Sequence, residues 1–138
     1  MDRKGTARWE GDLKQGRGKF SLGSGGLSGA YSFATRFGDT PGTNPEELIG
    51  AAHAACFSMA FSAGLSKVGF VPTSVETTAT VRLGLVSGLF EIVGIDLACH
   101  VVAGNISPDL LQSTADDAKK NCPVSKALAA VPVSLALV

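Results

Sequence analysis

The stretch TNPEELIGAAHAACFSMAFSAG, residues 43–64, predicts one long helix that dominates the fold. Asn44 is a helix-capping residue, Pro45 suits the first helical position, and Glu47 stands three residues after the cap, which is close to a capping box. We expect this helix to continue to about Lys67. The rest of the chain then has to pack around it.

The middle of this helix is uncharged from Leu48 to Leu65, which reaches the length of a candidate membrane span. His53, Ser58, Ser62 and many alanines interrupt the apolar run, and the helix begins with a cap typical of soluble proteins. A helix that is apolar all round without spanning a membrane is a buried central helix. We therefore predict no membrane association.

Alternating apolar and polar residues predict strands on both sides of the helix. The glycine-rich GSGGLSG, residues 23–29, is expected to form a loop or irregular edge. The predicted strands cover residues 7–13, 19–22, 31–37, 75–85, 93–101 and 131–138, and two further helices cover 107–120 and 121–130. The order βββ-α-ββ-αα-β has no repeated βαβ unit, so the sequence predicts an α+β fold in a single domain, residues 1–138.

The composition excludes several functional classes. The chain has 12 basic and 12 acidic residues, and the basic ones are scattered, so neither nucleic acid nor anionic lipid is an expected partner. The N-terminus lacks an apolar stretch after its charges, which predicts a cytoplasmic protein. Apolar residues make up 45% of the chain and charged ones only 17%, which predicts an oligomer that hides apolar surface.

The three cysteines are the first candidates for chemistry. A chain without an export signal is not expected to use them as a disulfide framework, and the absence of a C-x-x-C pair argues against structural zinc. Cys122 precedes Pro123 at a predicted helix start, where the helix dipole lowers a thiol pKa. Cys56 lies mid-helix, one turn after His53. Either cysteine could equally be a buried packing residue, and Cys99 is expected to be one.

Two charged residues are the next candidates. Glu47 is occupied by the helix cap, whereas Glu46 is available to hold a cation, and Arg36 is the nearest with sufficient reach. The alternative is that both glutamates are exposed and stabilise the helix dipole. His53 could act as a base for Cys56, as in acyl transfer, although residues three apart on one helix have poor geometry for this.

Three segments together resemble the OsmC subgroup of the OsmC/Ohr family of thiol-dependent peroxidases. They are WEGDLKQGRGKFS (9–21), ATRFGDTPGTNPEELIGAAHAACFSMAFSAGLSKVGFVPTSVETTATVRL (34–83) and NCPVSKAL (121–128). Only the glycine-rich LGSGGLSGA, residues 22–30, departs from the family pattern. The resemblance implies a two-layer α+β fold in which two chains intertwine into an obligate homodimer, with the central helices and both active sites at the interface.

The resemblance also implies a mechanism. Cys56 would attack a hydroperoxide and become a sulfenic acid, and Cys122 would condense with it to a disulfide that an external dithiol reduces. Arg36 would stabilise the thiolate and polarise the peroxide, and Glu46 would hold Arg36. The expected substrate is an organic hydroperoxide in preference to hydrogen peroxide, and no cofactor or metal is implied.

Three functions therefore remain open from the sequence. A thiol peroxidase needs both Cys56 and Cys122, and it requires that folding bring them close. A Cys-His acyl transferase or hydrolase needs Cys56 and His53 but not Cys122. A non-catalytic dimeric redox-sensing or ligand-binding module has no turnover, and therefore needs none of these three residues for catalysis.

Overall fold

The chain forms four helices and six strands, and the computed structural model describes all residues 1–138. The elements are β1 Gly5–Glu10, β2 Arg17–Leu22, β3 Ser28–Tyr31, α1 Phe33–Phe37, α2 Pro45–Lys67, β4 Ser74–Val86, β5 Leu89–Val102, α3 Pro108–Asn121, α4 Pro123–Ala127 and β6 Val133–Leu137. The mixed α+β class is as predicted. The chain divides into two compact units, Met1–Leu48 and Ile49–Val138, and the single-domain interpretation stays a prediction.

The first unit is built on an antiparallel sheet in the order β1-β2-β3. Gly18 on β2 pairs with Trp9 on one side and Tyr31 on the other. A Cβ atom at Gly18 would lie 2.3 Å from the Tyr31 ring, so only glycine fits there. The Trp9 and Tyr31 rings consequently meet across β2 with their centroids 5.5 Å apart.

One predicted strand is wrong, because residues 33–37 form the short helix α1. Its aromatic and threonine residues favour a strand, but Ser32 and Thr35 form a reciprocal capping box. The Ser32 hydroxyl accepts from the Thr35 N–H at 3.2 Å, and the Thr35 hydroxyl accepts from the Ser32 N–H at 2.9 Å. These local bonds outweigh the strand propensity, and the third strand instead covers Ser28–Tyr31, which overlaps the end of the predicted glycine-rich loop.

The first strand ends earlier than predicted, at Glu10. The Asp12 carboxylate accepts from the backbone N–H groups of Lys14 and Gln15, at 2.8 and 2.9 Å. This Asp-centred turn ends the extended conformation, and Leu13 becomes a turn residue with 63% of its surface exposed.

The second unit contains a three-stranded sheet in the order β4-β5-β6, with β5 and β6 parallel. Ile95, Leu97 and Cys99 project from one face of β5 and are buried, as the alternation predicts. Val93 belongs to the same predicted face but is 40% exposed. The register between β4 and β5 shifts beside Val93, because Arg82 pairs with Gly94 whereas the next residue of β4 pairs with Ile92. Val93 is therefore the extra residue of a β-bulge, and its side chain points to the opposite face from the one that alternation predicts.

Two helices cover the buried face of this sheet. The core is formed by apolar side chains of α2, β5 and α3, including Phe57, Phe61, Leu65, Ile95, Leu97, Ala115 and Ala118. The second unit is thus one helical layer on one sheet. Helix α2 is also long and apolar enough to cross a membrane, with a mean hydropathy of 1.5 over an apolar stretch of 18 residues. Only 28% of that stretch is buried within the chain.

The helix ends lie where the capping residues predict them. Asn44 accepts the Glu47 N–H at 2.8 Å through its side-chain oxygen, immediately before α2. Ser107 caps α3 by accepting from the Leu110 N–H. Cys122 ends α3 and begins α4, so one residue serves both helices.

Candidate active site

Two thiols that are 66 residues apart in the sequence lie side by side in the second unit. Cys56 Sγ on α2 is 2.7 Å from Cys122 Sγ, and both cysteines are free. Cys56 is half-buried, whereas Cys122 is 0% exposed. The more accessible sulfur is therefore the one on the central helix.

The backbone at Cys122 explains its position. Its N–H donates to Ala118 O at 2.9 Å, which completes the last turn of α3, and its carbonyl accepts from the Lys126 N–H at 3.0 Å, in the first turn of α4. Pro123 follows at a position that needs no hydrogen-bond donor. The sulfur therefore lies at a helix start, among N–H groups that have no partner within the helix.

Several hydrogen bonds act on the Cys122 sulfur. Burial by itself raises the pKa of the Cys122 thiol, but bonds with Cys56, with the backbone N–H and hydroxyl of Ser125, and with the Val124 N–H outweigh burial and lower the pKa. This agrees with the predicted effect of a helix start on a thiol.

Cys56 behaves in the opposite way. Burial raises its pKa, the hydrogen bond and charge of Cys122 raise it further, and the Val124 N–H opposes them. Two sulfurs at this distance titrate as a pair, in which the loss of the first proton leaves the second shared between them. The shared proton can lie on either sulfur, so the negative charge reaches Cys56 when the proton lies on Cys122.

His53 makes its hydrogen bond to Ser125 rather than to Cys56. His53 Nε2 is 2.8 Å from Ser125 Oγ, the histidine is 0% exposed, and its Nδ1 has no hydrogen-bond partner. Burial lowers the pKa of His53, which keeps the ring neutral. The geometry therefore does not support the Cys-His arrangement of an acyl transferase.

Ser125 was missed by the sequence analysis. It lies three residues after Cys122, in the CPVS stretch that carried part of the family resemblance. Since residues three apart on a helix share a face, the spacing could have marked it as a neighbour of the thiol. Its partner His53, 72 residues away in the sequence, could not have been found in this way.

Arg36 and Glu46 form an ion pair within the first unit. Arg36 Nη2 donates to Glu46 Oε1 at 2.8 Å, and Arg36 Nε lies 3.2 and 3.3 Å from the two carboxylate oxygens. The Glu46 side chain is 11% exposed and the Arg36 side chain 36% exposed. Glu46 thus holds a cation from the first turn of α2, whereas the neighbouring Glu47 is exposed.

An aromatic cavity adjoins the Arg36 side chain in the same unit. It has a volume of about 240 Å³ and is lined by Trp9, Leu13, Tyr31, Ser32, Phe33, Arg36 and Phe37. The Arg36 guanidinium also lies 5.1 Å from the centre of the Phe37 ring. The cavity therefore combines apolar walls with one fixed cation.

Cys99 belongs to the core, as the sequence predicts, and so do two phenylalanines that follow Cys56 on α2. Burial raises the Cys99 pKa, and its sulfur accepts from the Thr77 hydroxyl at 3.5 Å. Phe57 and Phe61 are 0% exposed, and their rings pack against each other with centroids 5.7 Å apart. No group of three or more His, Cys, Asp or Glu side chains is arranged to hold a metal ion.

The sequence comparisons agree with this geometry. The family described as "OsmC: OsmC-like protein" matches residues 37–136. The chain is 50% identical over 131 residues to Peroxiredoxin OsmC of Escherichia coli (strain K12), covering 94% of this chain and 92% of that protein. This chain belongs to the OsmC family. The resemblance inferred from the sequence motifs is thereby confirmed.

Similarity extends to the Ohr branch of related proteins. The OsmC-family chain is 33% identical over 87 residues to the Organic hydroperoxide resistance protein of Xanthomonas axonopodis pv. citri (strain 306), covering 62% of this chain and 59% of that protein. Its fold superposes on the crystal structure of the Organic Hydroperoxide Resistance Protein OhrB of Bacillus subtilis with a TM-score of 0.80 and 28% identity, covering 100% and 98% of the two chains. The predicted OsmC-like fold is confirmed.

Proposed function

We propose that this OsmC-family protein is a peroxidase that reduces organic hydroperoxides to alcohols with two cysteines, Cys56 and Cys122. The observation that carries the proposal is the 2.7 Å separation of the two sulfurs, one accessible and the other buried. Two further findings support it, namely the relative named Peroxiredoxin OsmC and the relative named Organic hydroperoxide resistance protein.

In the first step, the proton shared by the thiol pair lies on Cys122, and the Cys56 thiolate attacks the terminal oxygen of the hydroperoxide. The O–O bond breaks, sulfur supplies two electrons, and the alkoxide leaves and takes a proton to become the alcohol. Cys56 is then a sulfenic acid. The half-exposed position of Cys56 supports its assignment as the attacking sulfur.

In the second step, the Cys122 sulfur attacks the Cys56 sulfenic sulfur, the S–O bond breaks, and the product is a disulfide plus water. A disulfide requires sulfurs about 2.05 Å apart, so the two atoms need to approach by less than about 1 Å. An external dithiol then reduces the disulfide by thiol exchange and restores both thiols. The two cysteines complete the redox cycle without a cofactor or metal.

Arg36 and Glu46 are proposed to assist the first step. The fixed guanidinium would favour the Cys56 thiolate, whose pKa is otherwise raised, and it would stabilise the alkoxide as the O–O bond breaks. The ion pair with Glu46 supports this role, because it limits the rotation of the Arg36 side chain.

The aromatic cavity supports the proposed substrate class. Its walls, formed by Trp9, Tyr31, Phe33 and Phe37, suit an apolar tail, and Arg36 at its edge suits the polar peroxide group. Hydrogen peroxide has no tail to occupy this cavity. We therefore propose that organic hydroperoxides are reduced faster than hydrogen peroxide.

We also propose that the working form is a homodimer joined through α2. Four exposed apolar residues are spaced four apart on one ridge of this helix, namely Ala51, Ala55, Met59 and Ala63, and Met59 is 75% exposed. Such a ridge accepts the same ridge of a second copy. Burying it in this way would explain a helix as apolar as a membrane span in a protein that we propose to be soluble and cytoplasmic.

A single-turnover reaction tests the mechanism. Reduced protein is mixed with one equivalent of cumene hydroperoxide, the released alcohol is measured, and disulfides are mapped by peptide mass spectrometry. We expect one alcohol per chain and a Cys56–Cys122 disulfide. In a second reaction with excess hydroperoxide and dithiol, Cys122→Ser should release one alcohol and then stop, Cys56→Ser should release none, and Cys99→Ser should turn over like wild type.

Two results would refute the proposal. One is that no alcohol is released by the wild-type protein. The other is that Cys122→Ser turns over repeatedly with dithiol present, because the second thiol would then have no role.

A further inference from the structure

A second cavity in the first unit is lined by charged side chains. It has a volume of about 590 Å³, which lies within the range of about 300–1,000 Å³ typical of small-molecule sites. Its charged lining residues are Arg8, Glu10, Arg17 and Lys19, and we call this space the cationic cavity. Only Tyr31 and Ser32 line both the cationic and the aromatic cavity, so the two are separate sites.

The pairing of β1 with β2 sets two of these cations against each other. Arg8 and Lys19 are directly opposite on neighbouring antiparallel strands, so their side chains project from the same face of the sheet. Like charges in this arrangement destabilise a sheet. Arg17 lies two residues before Lys19 on β2 and projects from that face as well. Three cations therefore meet on one side of the sheet.

A single carboxylate offsets these three cations. Glu10 is the one acidic residue that lines the cationic cavity, and its Oε1 accepts from Arg8 Nη2 at 3.0 Å. Both side chains of this pair are exposed, so solvent screens it. Arg17 and Lys19 have no ion-pair partner. Three cations and one carboxylate leave the cavity with a net charge of +2.

Neutral residues form a fixed wall beside the charged residues. The Thr35 hydroxyl donates to the Thr43 carbonyl at 2.9 Å, and the Thr43 hydroxyl donates to the Ala30 carbonyl. A Cβ atom at Gly42 would lie 2.6 Å from the Thr35 methyl carbon, which shows how closely this loop packs on α1. The wall is therefore held by contacts of its own and does not depend on a ligand.

We propose that the cationic cavity binds a soluble phosphate monoester, that is, a small organic molecule with one phosphoryl group. Such a group carries a charge of about −1.5 to −2 at pH 7, which matches the net charge of the cavity. Arginine N–H groups bind phosphate oxygens in pairs, and Lys19 adds a compact positive charge. The neutral wall contacts the organic part. The peroxidase cycle does not use this site, so the inference goes beyond the proposed function.

The test is a nuclear magnetic resonance titration of the reduced, isotope-labelled full chain with glycerol phosphate at constant ionic strength. Glycerol is the uncharged control, and sodium chloride is the control for salt. We expect saturable shifts that are largest for the backbone amides of Arg8, Lys19, Ala30, Thr35 and Gly42. Glycerol and sodium chloride should not reproduce them.

Charge variants test whether the unpaired cations hold the ligand. Lys19→Gln and Arg17→Gln should each raise the dissociation constant about three- to tenfold, because each removes one charge from a solvent-screened site. Lys19→Glu reverses the charge and should abolish saturable binding. Lys120→Gln, at an exposed lysine of α3, is the matched control and should change the constant less than twofold.

Folding of the variants is checked by their thermal unfolding. Lys19→Gln removes the repulsion with Arg8, so its midpoint temperature should not fall below that of the wild type. Glycerol phosphate should raise the midpoint of the wild type, and it should raise that of Lys19→Gln less.

The inference is overturned if the wild type shows no saturable shifts, or if glycerol or sodium chloride reproduces them. It is also overturned if Lys19→Gln and Arg17→Gln bind as tightly as the wild type, or if Lys120→Gln weakens binding equally. Binding to phosphatidate-containing vesicles without binding to glycerol phosphate would overturn the assignment to a soluble ligand.

Discussion

Replacing Glu46 by glutamine should slow the first chemical step by releasing Arg36. The substitution preserves the size of the side chain but removes the charge that accepts from Arg36 Nη2 and Nε at 2.8 and 3.2 Å. Hydrogen bonds to a charged group contribute about 1.5–3 kcal/mol. Since the Arg36 side chain is 36% exposed, solvent screening reduces this to about 1–2 kcal/mol.

If that free energy serves to hold the guanidinium for the reaction, Glu46→Gln should lower the second-order rate constant of alcohol release about 5- to 30-fold. The assay is stopped-flow or quenched-flow reduction of cumene hydroperoxide under single-turnover conditions. Disulfide formation after the alcohol has left should keep its wild-type rate, because Arg36 is assigned to the first step.

Glu47→Gln is the matched control, since Glu47 is the next residue in the same helical turn but is exposed. It should change the rate less than twofold. The reasoning would be refuted if Glu46→Gln reacted within twofold of wild type, or if both variants slowed equally, because the loss would then come from the helix dipole and not from Arg36.

Two further predictions concern stability and assembly. Burial lowers the pKa of His53 in the folded state, so the unfolded chain binds more protons than the folded chain once the pH falls below the ordinary histidine pKa of about 6.5. The free energy of unfolding should therefore fall by up to about 1.4 kcal/mol per pH unit as the pH decreases from about 6.5 towards the folded-state pKa. Denaturant titrations at fixed protein concentration should show this slope in wild type and less of it in His53→Gln; equal slopes would contradict the assigned buried neutral state. Met59→Glu should raise the dimer dissociation constant at least about 100-fold in sedimentation experiments, because each copy would place a carboxylate in the interface, whereas Thr78→Glu on the exposed sheet face should not. Unchanged dimerisation of Met59→Glu would exclude the α2 ridge as the interface.

Much of the fold could be predicted from the sequence because its signals are local. Asn44 and Ser107 mark helix starts by side-chain bonds to residues three positions away, and the alternation along β5 identifies Ile95, Leu97 and Cys99 as its buried face. These signals act within a few residues and need no knowledge of the remaining chain.

One error arose where two local signals competed, and another where the pairing of two strands overrode a local pattern. In residues 31–37 the aromatic residues favour a strand, but the capping box between Ser32 and Thr35 produces a helix. In β5 the alternation continues through Val93, yet a bulge against Arg82 moves its side chain to the exposed face. A bulge depends on the pairing of two strands, so alternation within one strand does not reveal it.

The sequence by itself determined the starts of α2 and α3, the buried face of most of β5 and, through its motifs, the OsmC family with Cys56 and Cys122 as its candidate thiols. Tertiary structure decided which atoms meet: the two sulfurs come from positions 66 residues apart, and His53 reaches Ser125 across 72 residues. Side-chain periodicity reports only which face of an element is buried. Contact between distant elements depends on how α2 and α3 pack on the sheet, and that is decided by the whole core.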